Sequence, residues 1–257
     1  MRTIVLSGAA SGIGAAVRSR LERDGCRVLG VDLRDAEVVA DLSDAAGRER
    51  ALAEVRALAG ERLDGLVACA GIGPQFEPRS RILSVNYFGA IALLDGLRPL
   101  LACGEAPAAV AVSSNSATIA PGADGPLAAA CLAGDEGEAR RLAEETDGAT
   151  AYAASKLALA RWVRRQATRP EWAGAGIRLN AVAPGAVRTP LLEEGLEHPV
   201  FGAAIRGFPI PLGGRFGRPE QIAAAICFLL SSDASFCCGS VLFVDGGSDA
   251  LLRADVC

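Results

Sequence analysis

The chain has 257 residues, of which 51% are hydrophobic and 22% charged, with a formal net charge of −4. This is the balance of a folded globular protein with a large core, and a sequence pI near 5.2 with dispersed arginines excludes the basic footprint of a nucleic-acid binder. No apolar run reaches the roughly 20 residues that span a bilayer. The N-terminus enters Thr3-Ile-Val-Leu-Ser7 without the charged and apolar regions of a signal peptide, so a cytoplasmic protein without membrane contact is expected. The 8 cysteines are scattered, none in a C-x-x-C pair, beside a single histidine. Neither a disulfide framework nor a metal site is expected, and the thiols read as small core residues.

Residues 3–7 form a short, β-branched apolar run, the pattern of a buried strand. It feeds the turn Gly8-Ala-Ala-Ser11-Gly12-Ile13-Gly14 and then a helical pattern through Val17 and Leu21. Glycines let the backbone turn sharply and a phosphate approach, and the helix start offers free N–H groups and a positive dipole end. A second strand, 27–32, ends in Asp32, where a dinucleotide fold needs an acid for the ribose hydroxyls. A carboxylate there also repels a 2′-phosphate, by about 4 kcal/mol for unit charges about 4 Å apart at an effective dielectric near 20. NAD is therefore expected over NADP, with Leu33 a neighbouring contact and Arg34 close enough to soften the preference. The plain alternatives are a glycine turn without a ligand and an aspartate that only opens the next turn.

Residues 38–42 read as a third strand, with Asp41 and Leu42 facing an adenine, and 44–59 as an amphipathic helix. A strand over 64–70 ends in Ala70-Gly71, which lets the chain pass close to a flat cofactor. A long helix over 81–101 carries Asn86. The strand over 109–114 ends on Ser113 and Ser114, of which alternation lets only one face a cleft. Residues 115–150 are rich in Ala, Gly, Pro and acids, with a helix expected near 127–145. A segment of that length inside a compact domain usually has a job. A helix from Tyr152 to about Arg165 and a strand over 177–182 lead to Pro184-Gly185. Residues 188–218, with many Gly and Pro, read as a mobile segment covering a substrate. A helix over 219–230 and a strand over 240–244 close the pattern. Strands alternate with helices throughout, which predicts an α/β fold: one doubly wound parallel sheet over residues 1–257, with 115–150 inserted before the Tyr152 helix.

The stretch with the sharpest chemistry is Tyr152-Ala-Ala-Ser-Lys156. Lys156 is the only lysine; every other one of the 26 basic side chains is arginine. Positions i and i+4 share a helix face, so a phenol and an ammonium lie side by side. Ionising a free tyrosine at pH 7 costs roughly 4 kcal/mol, and a nearby cation lowers that cost. Lysine can also donate to a sugar hydroxyl through rotatable N–H groups, whereas arginine is a rigid fork.

Taken in order, the Gly8/Gly12/Gly14 turn, Asp32, Asp41-Leu42, Ala70-Gly71, Asn86, Ser114, Tyr152-x-x-x-Lys156, Pro184-Gly185 and Asp245-Gly246-Gly247 resemble the short-chain dehydrogenase/reductase family from end to end. Within it, Asp32-Leu-Arg-Asp-Ala-Glu-Val, Cys69-Ala-Gly-Ile-Gly-Pro-Gln75, Ser84-Val-Asn-Tyr-Phe-Gly89 and Thr189-Pro-Leu-Leu192 are most similar to the bacterial 3α-hydroxysteroid dehydrogenase/carbonyl reductase group. The resemblance implies Tyr152 as general acid/base and Lys156 as the group that lowers its pKa and holds the nicotinamide ribose. It implies Ser114 on the substrate oxygen and Asn86 holding a water behind Lys156. Pro184, Gly185, Val187 and Thr189 would fix the carboxamide and phosphates. Two departures stand out: Ser7 replaces the usual threonine, and Cys69 the usual asparagine. His198 reads as exposed, Cys237-Cys238, Trp162 and Trp172 as packing, and Glu136 to Glu145 as a solvated face.

Two functions follow as expectations. One is NAD-dependent interconversion of a secondary alcohol and a ketone on an apolar, steroid-like molecule, or on a non-steroid alcohol. The other is a catalytically silent dinucleotide sensor, disfavoured because every catalytic position is filled. An insertion docked on the outer faces of the Asn86 and Tyr152 helices would block the family's tetramer contact and leave the Pro219 to Val244 face for a homodimer.

Overall fold

A computed structural model describes residues 1–256 of the chain. Its elements in order are β1 (Thr3–Ser7), α1 (Gly12–Arg23), β2 (Arg27–Asp32), β3 (Val38–Val39), α2 (Ala45–Ala59), β4 (Gly65–Ala68) and α3 (Ser80–Leu83). A π-helical turn over Ser84–Gly89 then leads into α4 (Ala90–Ala102), β5 (Ala108–Val112), α5 (Ser116–Ile119), α6 (Pro126–Ala133) and α7 (Glu136–Glu144). The chain continues as α8 (Gly148–Ala167), β6 (Arg178–Pro184), α9 (Pro190–Glu197), α10 (Gly202–Arg206), α11 (Pro219–Leu230), β7 (Val241–Val244) and α12 (Ser248–Leu252).

The strands pair in parallel in the order β3-β2-β1-β4-β5-β6-β7. Ile4, Val5, Leu6, Leu66, Val67 and Val110 are fully buried, as central parallel strands covered on both faces require. One face packs on α1 and α11 through Val17, Leu21, Ile222 and Ile226. The other packs on α2, α4 and α8 through Val55, Leu93, Leu97 and Leu159. The strand order reverses between β1 and β4, which opens a crevice at their carboxyl ends, the place where doubly wound sheets bind ligands.

Several expected elements differ in detail. The third strand is only Val38–Val39, because Asp41 is drawn into a turn by the Ser43 N–H. The helix expected over 81–101 runs without interruption from Ser80 to Ala102, but the stretch that carries Asn86 is wound as a π-helix. The helix expected over 127–145 is two helices. Gly134 at φ 77° ends the first, and the Asp135 side chain caps the second by accepting from the Glu138 N–H.

Residues 115–150 fold against the body of the domain. Leu127, Ala128 and Cys131 of α6 are buried in one core with Ala151, Ala154 and Ala158 of α8, and Ala139 and Ala143 of α7 with Ile82 and Leu83 of α3. Glu136 is half-buried rather than solvated. It accepts two hydrogen bonds, 2.6 and 2.7 Å, from the buried Arg48 guanidinium of α2. Burial alone would raise its pKa, but the two bonds from Arg48 and its charge take it below the ordinary carboxylate range.

Residues 188–216 leave the sheet as one excursion. Its base is clipped by a parallel bridge between Val187 and Gly217 and by the Arg188 N–H donating to the Gly217 carbonyl at 2.8 Å. Two short helices, α9 and α10, pack on each other within it. His198 is half-buried rather than exposed, its ring 4.9 Å from that of Phe201. Trp162 and Trp172 are buried edge-to-face packing partners, whereas Cys238 lies at the surface.

Candidate active site

The crevice is a cleft of about 720 Å³. Its floor is built from strand ends. Gly8, at φ 71°, leaves β1 so close to the next strand that a Cβ would come within 2.9 Å of Ala70 Cα. At Gly14 a methyl would overlap the Gly8 carbonyl oxygen. Here glycine is required by both backbone angle and space, and the first turn of α1 points its free N–H groups into the gap. Ser11, Gly12 and Ile13 line the same cradle. Ser7 Oγ accepts from both the Cys69 and Ala70 N–H groups at 3.1 Å, so the hydroxyl ties β1 to the loop after β4.

Asp32 lies at the tip of β2 on the cleft wall with Leu33. One carboxylate oxygen accepts from the Ala10 N–H at 3.0 Å and the other from the Leu33 N–H at 2.7 Å. Asp41 accepts from the Ser43 N–H and, at 2.8 Å, from Arg81. Its burial works against ionisation, but these bonds and the Arg81 charge hold its pKa low. Leu42 lies beside it on the cleft wall. Arg81 carries no signal in the sequence that marks it as a cleft residue; only the fold brings it to Asp41.

Tyr152 and Lys156 enter from the first half of α8, which starts with the Asp147 side chain accepting from the Thr150 N–H. Lys156 is buried, donates to the Val112 carbonyl at 2.9 Å, and has its Nζ 5.8 Å from the centre of the Tyr152 ring. Gly71 passes over it, and a Cβ there would sit 3.3 Å from Nζ. Burial pulls the Lys156 pKa down to about 8. Burial also raises that of Tyr152, and the neighbouring Ser114 hydroxyl partly offsets the rise. The shift at Tyr152 is set by desolvation and not by the Lys156 charge that the sequence spacing points to.

The adjacent serines divide their work. Ser113 Oγ donates to the Lys156 carbonyl at 2.8 Å and is spent on holding α8 to β5. Ser114 faces Tyr152 and accepts from the Ser116 hydroxyl at 3.0 Å. Asn86 is fully buried. Its Oδ1 accepts from the Ile72 N–H, and its Nδ2 donates to the Ile72 carbonyl and to Ser155 Oγ. Its side-chain amide is thus committed to bracing the turn above Lys156. Cys69, in place of an asparagine, makes no polar side-chain contact, and burial pushes its thiol up to about 12.

Pro184, Gly185, Val187 and Thr189 close the far wall. Gly185 is pressed against Asp245, where a Cβ would come within 2.8 Å of its Cα. Beyond Tyr152 the cleft turns apolar, lined by Phe76, Ala120, Leu192, Phe201, Ile205 and Phe208. Leu192, Phe201, Ile205 and Phe208 fall within 188–218, the segment expected to cover a substrate, but the sequence did not single them out, because apolar side chains look the same whether they pack a core or face a cavity. All the expected catalytic and cofactor residues except the fully enclosed Asn86 line this one cleft.

Comparison with known proteins bears on what the cleft is. The sequence profile of short chain dehydrogenases matches residues 2–146, and a second profile, enoyl-(acyl carrier protein) reductase, matches residues 138–249. The chain belongs to the short-chain dehydrogenase/reductase family. As a member, it is 47% identical to the 3-alpha-hydroxysteroid dehydrogenase/carbonyl reductase of Comamonas testosteroni, over 98% of each chain. It is 35% identical to the cis-4-hydroxycyclohexanecarboxylate dehydrogenase of Sinomonas cyclohexanicum, over 97% of each. Among solved structures it superposes with a TM-score of 0.96 on the 3-alpha-hydroxysteroid dehydrogenase from Pseudomonas sp. B-0831 complexed with NADH. The identity to that protein is 49%, covering 99% of this chain and 100% of the other.

Proposed function

We propose that the protein is an NAD(H)-dependent oxidoreductase that interconverts a secondary alcohol and a ketone on an apolar ring system of the 3α-hydroxysteroid type. The observation that carries this reading is the meeting of Ser114, Tyr152 and Lys156 at the junction of a glycine-lined cradle and an apolar chamber. The relatives named above act on ring alcohols or bind NADH, which supports it.

NAD(H), when bound, supplies or accepts the hydride. The chain's own residues do the rest. The cradle from Gly8 to Gly14 takes the diphosphate on free N–H groups, Asp32 takes the ribose hydroxyls and repels a 2′-phosphate, and Asp41 with Leu42 flanks the adenine. Ala70, Gly71, Pro184, Gly185, Val187 and Thr189 wall the nicotinamide end. Tyr152 gives a proton to the ketone oxygen, or takes it from the alcohol, while Ser114 holds that oxygen. Lys156, held by the Val112 carbonyl and crowded by Gly71, presents its remaining N–H groups to the ribose. Asn86 fixes the turn over Lys156. Residues 188–218 cover the substrate, and 115–150 brace α8 from outside.

A direct test is NADH consumption with a ketosteroid. Tyr152→Phe should lower kcat by about 10²- to 10⁴-fold, the usual range for a lost general acid, while NADH binding persists. A wild type that binds NADH but reduces no ketone, or that prefers NADPH, would overturn the reading.

A homodimer across α11 and β7 belongs to the same proposal. β7 is a sheet-edge strand, and Phe228, Phe236 and Leu242 on this side are exposed, an apolar arrangement that monomers seldom leave uncovered. Sedimentation equilibrium at micromolar concentration should give a dimer; a stable tetramer rejects it. The location proposed is the cytoplasm, supported by the unpaired state of all described cysteines. Thiol titration of protein unfolded without reductant should find them free.

A further inference from the structure

We infer that the short C-terminal helix α12 sets the width of the substrate chamber, with Asp249 a positioning residue for the part of the substrate that lies beyond the reacting carbon. The inference rests on the ketone-reductase reading above and names what holds its substrate end in shape. Two neighbouring residues of α12 pin opposite walls. Ser248 Oγ donates to the Pro209 carbonyl at 2.6 Å, directly after Phe208, which lines the chamber from the covering segment. Asp249 Oδ1 accepts from Thr118 Oγ1 at 2.6 Å. Thr118 lies in α5, between Ser116 and Ala120, which line the chamber from the Ser114 side.

The helix that joins these walls is itself tied down. Asp245 accepts from the Gly247 N–H and the Asp249 N–H, and from the Asn115 side chain at 3.2 Å. Arg253 grips Asp249 through Nε at 2.9 Å and Nη2 at 3.1 Å, and Asp249 is buried. On the covering side, the Leu212 N–H donates to the Gly246 carbonyl at 2.9 Å. Neither Asp249 nor Thr118 lines the cleft, so both can act on substrate only through the walls they hold. On this assignment a small ketone held at Tyr152 is too short to depend on both the Phe208 and the Ala120 walls. A four-ring ketone is long enough.

The test uses the full-length enzyme, NADH, androstanedione and cyclohexanone. Thr118→Val and Asp249→Asn should each raise KM for androstanedione by about five- to tenfold, a loss of uniform binding with kcat little changed. KM for cyclohexanone and for NADH should stay within about twofold, and Thr118→Ser, which keeps the hydroxyl, should restore the wild-type value. A matching rise in KM for NADH, or no rise for androstanedione, rejects the assignment. Hydrogen exchange reads the strut without substrate. In Thr118→Val the Leu212 amide, which Thr118 does not touch, should lose protection; unchanged exchange there also rejects the coupling. If the wild type reduces neither ketone, the function proposed above fails, and the exchange result still decides whether α12 joins the two walls.

Discussion

The two halves of the cleft are built in different ways. The cofactor half is made of strand ends and backbone. Ser7 Oγ bridges two amides of the neighbouring loop, Asp32 bonds the Ala10 and Leu33 amides, and Asn86 saturates Ile72 on both sides. The substrate half is made largely of side chains in and beside two short helices of an excursion that is clipped at its base and tied to α12 by a few bonds, with Phe76 and Ala120 added from the body. The groups proposed to meet a diphosphate and two riboses are fixed by the sheet, where moving one atom moves several hydrogen bonds. The walls that meet an apolar substrate are fixed by packing, which tolerates changes of shape. Segments with few buried contacts open locally at low free energy, so the proposed covering role of residues 188–218 suits the second kind of construction.

A pair of glycine substitutions would break this comparison if the two halves were equally rigid. In Gly14→Ala the new methyl overlaps the Gly8 carbonyl oxygen, and the first turn of α1 must move. Overpacking of this kind costs about 1–3 kcal/mol or more, and the shift also opens the phosphate cradle. Loss of detectable NADH binding and a clear fall in Tm are expected. Gly213, in the covering excursion, has φ 76°, but a methyl added there would meet nothing within 4 Å. Alanine there bears only the left-handed strain, about 1 kcal/mol, and NADH affinity should be unchanged. NADH titration and thermal unfolding of both variants decide it. Equal losses at the two positions would show that the halves are not mechanically distinct.

The next largest effect sharpens the chemistry at the boundary between the halves. Lys156 is enclosed by the Val112 carbonyl, the Gly71 backbone and α8 itself. Lys156→Arg keeps the charge but puts a planar fork where a single nitrogen fits. A fall in kcat of at least about a hundredfold is expected, comparable to losing a positioned proton-transfer group, with a fall in Tm from the overpacked site. Steady-state kinetics check it, and near-normal kcat would mean that the lone lysine has no chemical role.

What was legible in the sequence follows the same division. Gly8, Gly14 and Asp32 could be read because backbone angle, space or charge admits few other residues there. The parallel sheet followed from alternating elements, since parallel pairing demands crossover helices. The break at Gly134 and the π-helical turn at Asn86 were not legible, because tertiary contacts decide them: Asn86 turns inward to Ile72 and Ser155. Glu136 looked like one more acid on a charged helix; only the fold brings the buried Arg48 to it from 88 residues away in sequence. Phe208 and Leu192 read as generic apolar residues. Even at Tyr152 the spacing identified the partner correctly as a neighbour but not the balance of forces, since burial is a property of the whole fold.

That balance gives the smallest and last of the predictions. Burial lowers the Lys156 pKa to about 8, because enclosing an ammonium disfavours its charged form. Below that value the side chain is protonated and attracts an anionic dinucleotide; as pH rises through it, the charge is lost. The free enzyme should therefore bind NADH more weakly above pH 8. A decline of about threefold to tenfold by pH 9 is expected, bounded by the tenfold change per pH unit that one proton allows. The aromatic and aliphatic side chains of the substrate half, Phe201, Ile205 and Phe208, do not titrate, so the change should be confined to the cofactor. Fluorescence titration with NADH across this pH range checks the claim, with Lys156→Met as the control. The variant should bind more weakly at pH 7 and show no step near pH 8. A step that survives in Lys156→Met would assign the titration to another group and remove Lys156 as the charge that the cofactor half presents.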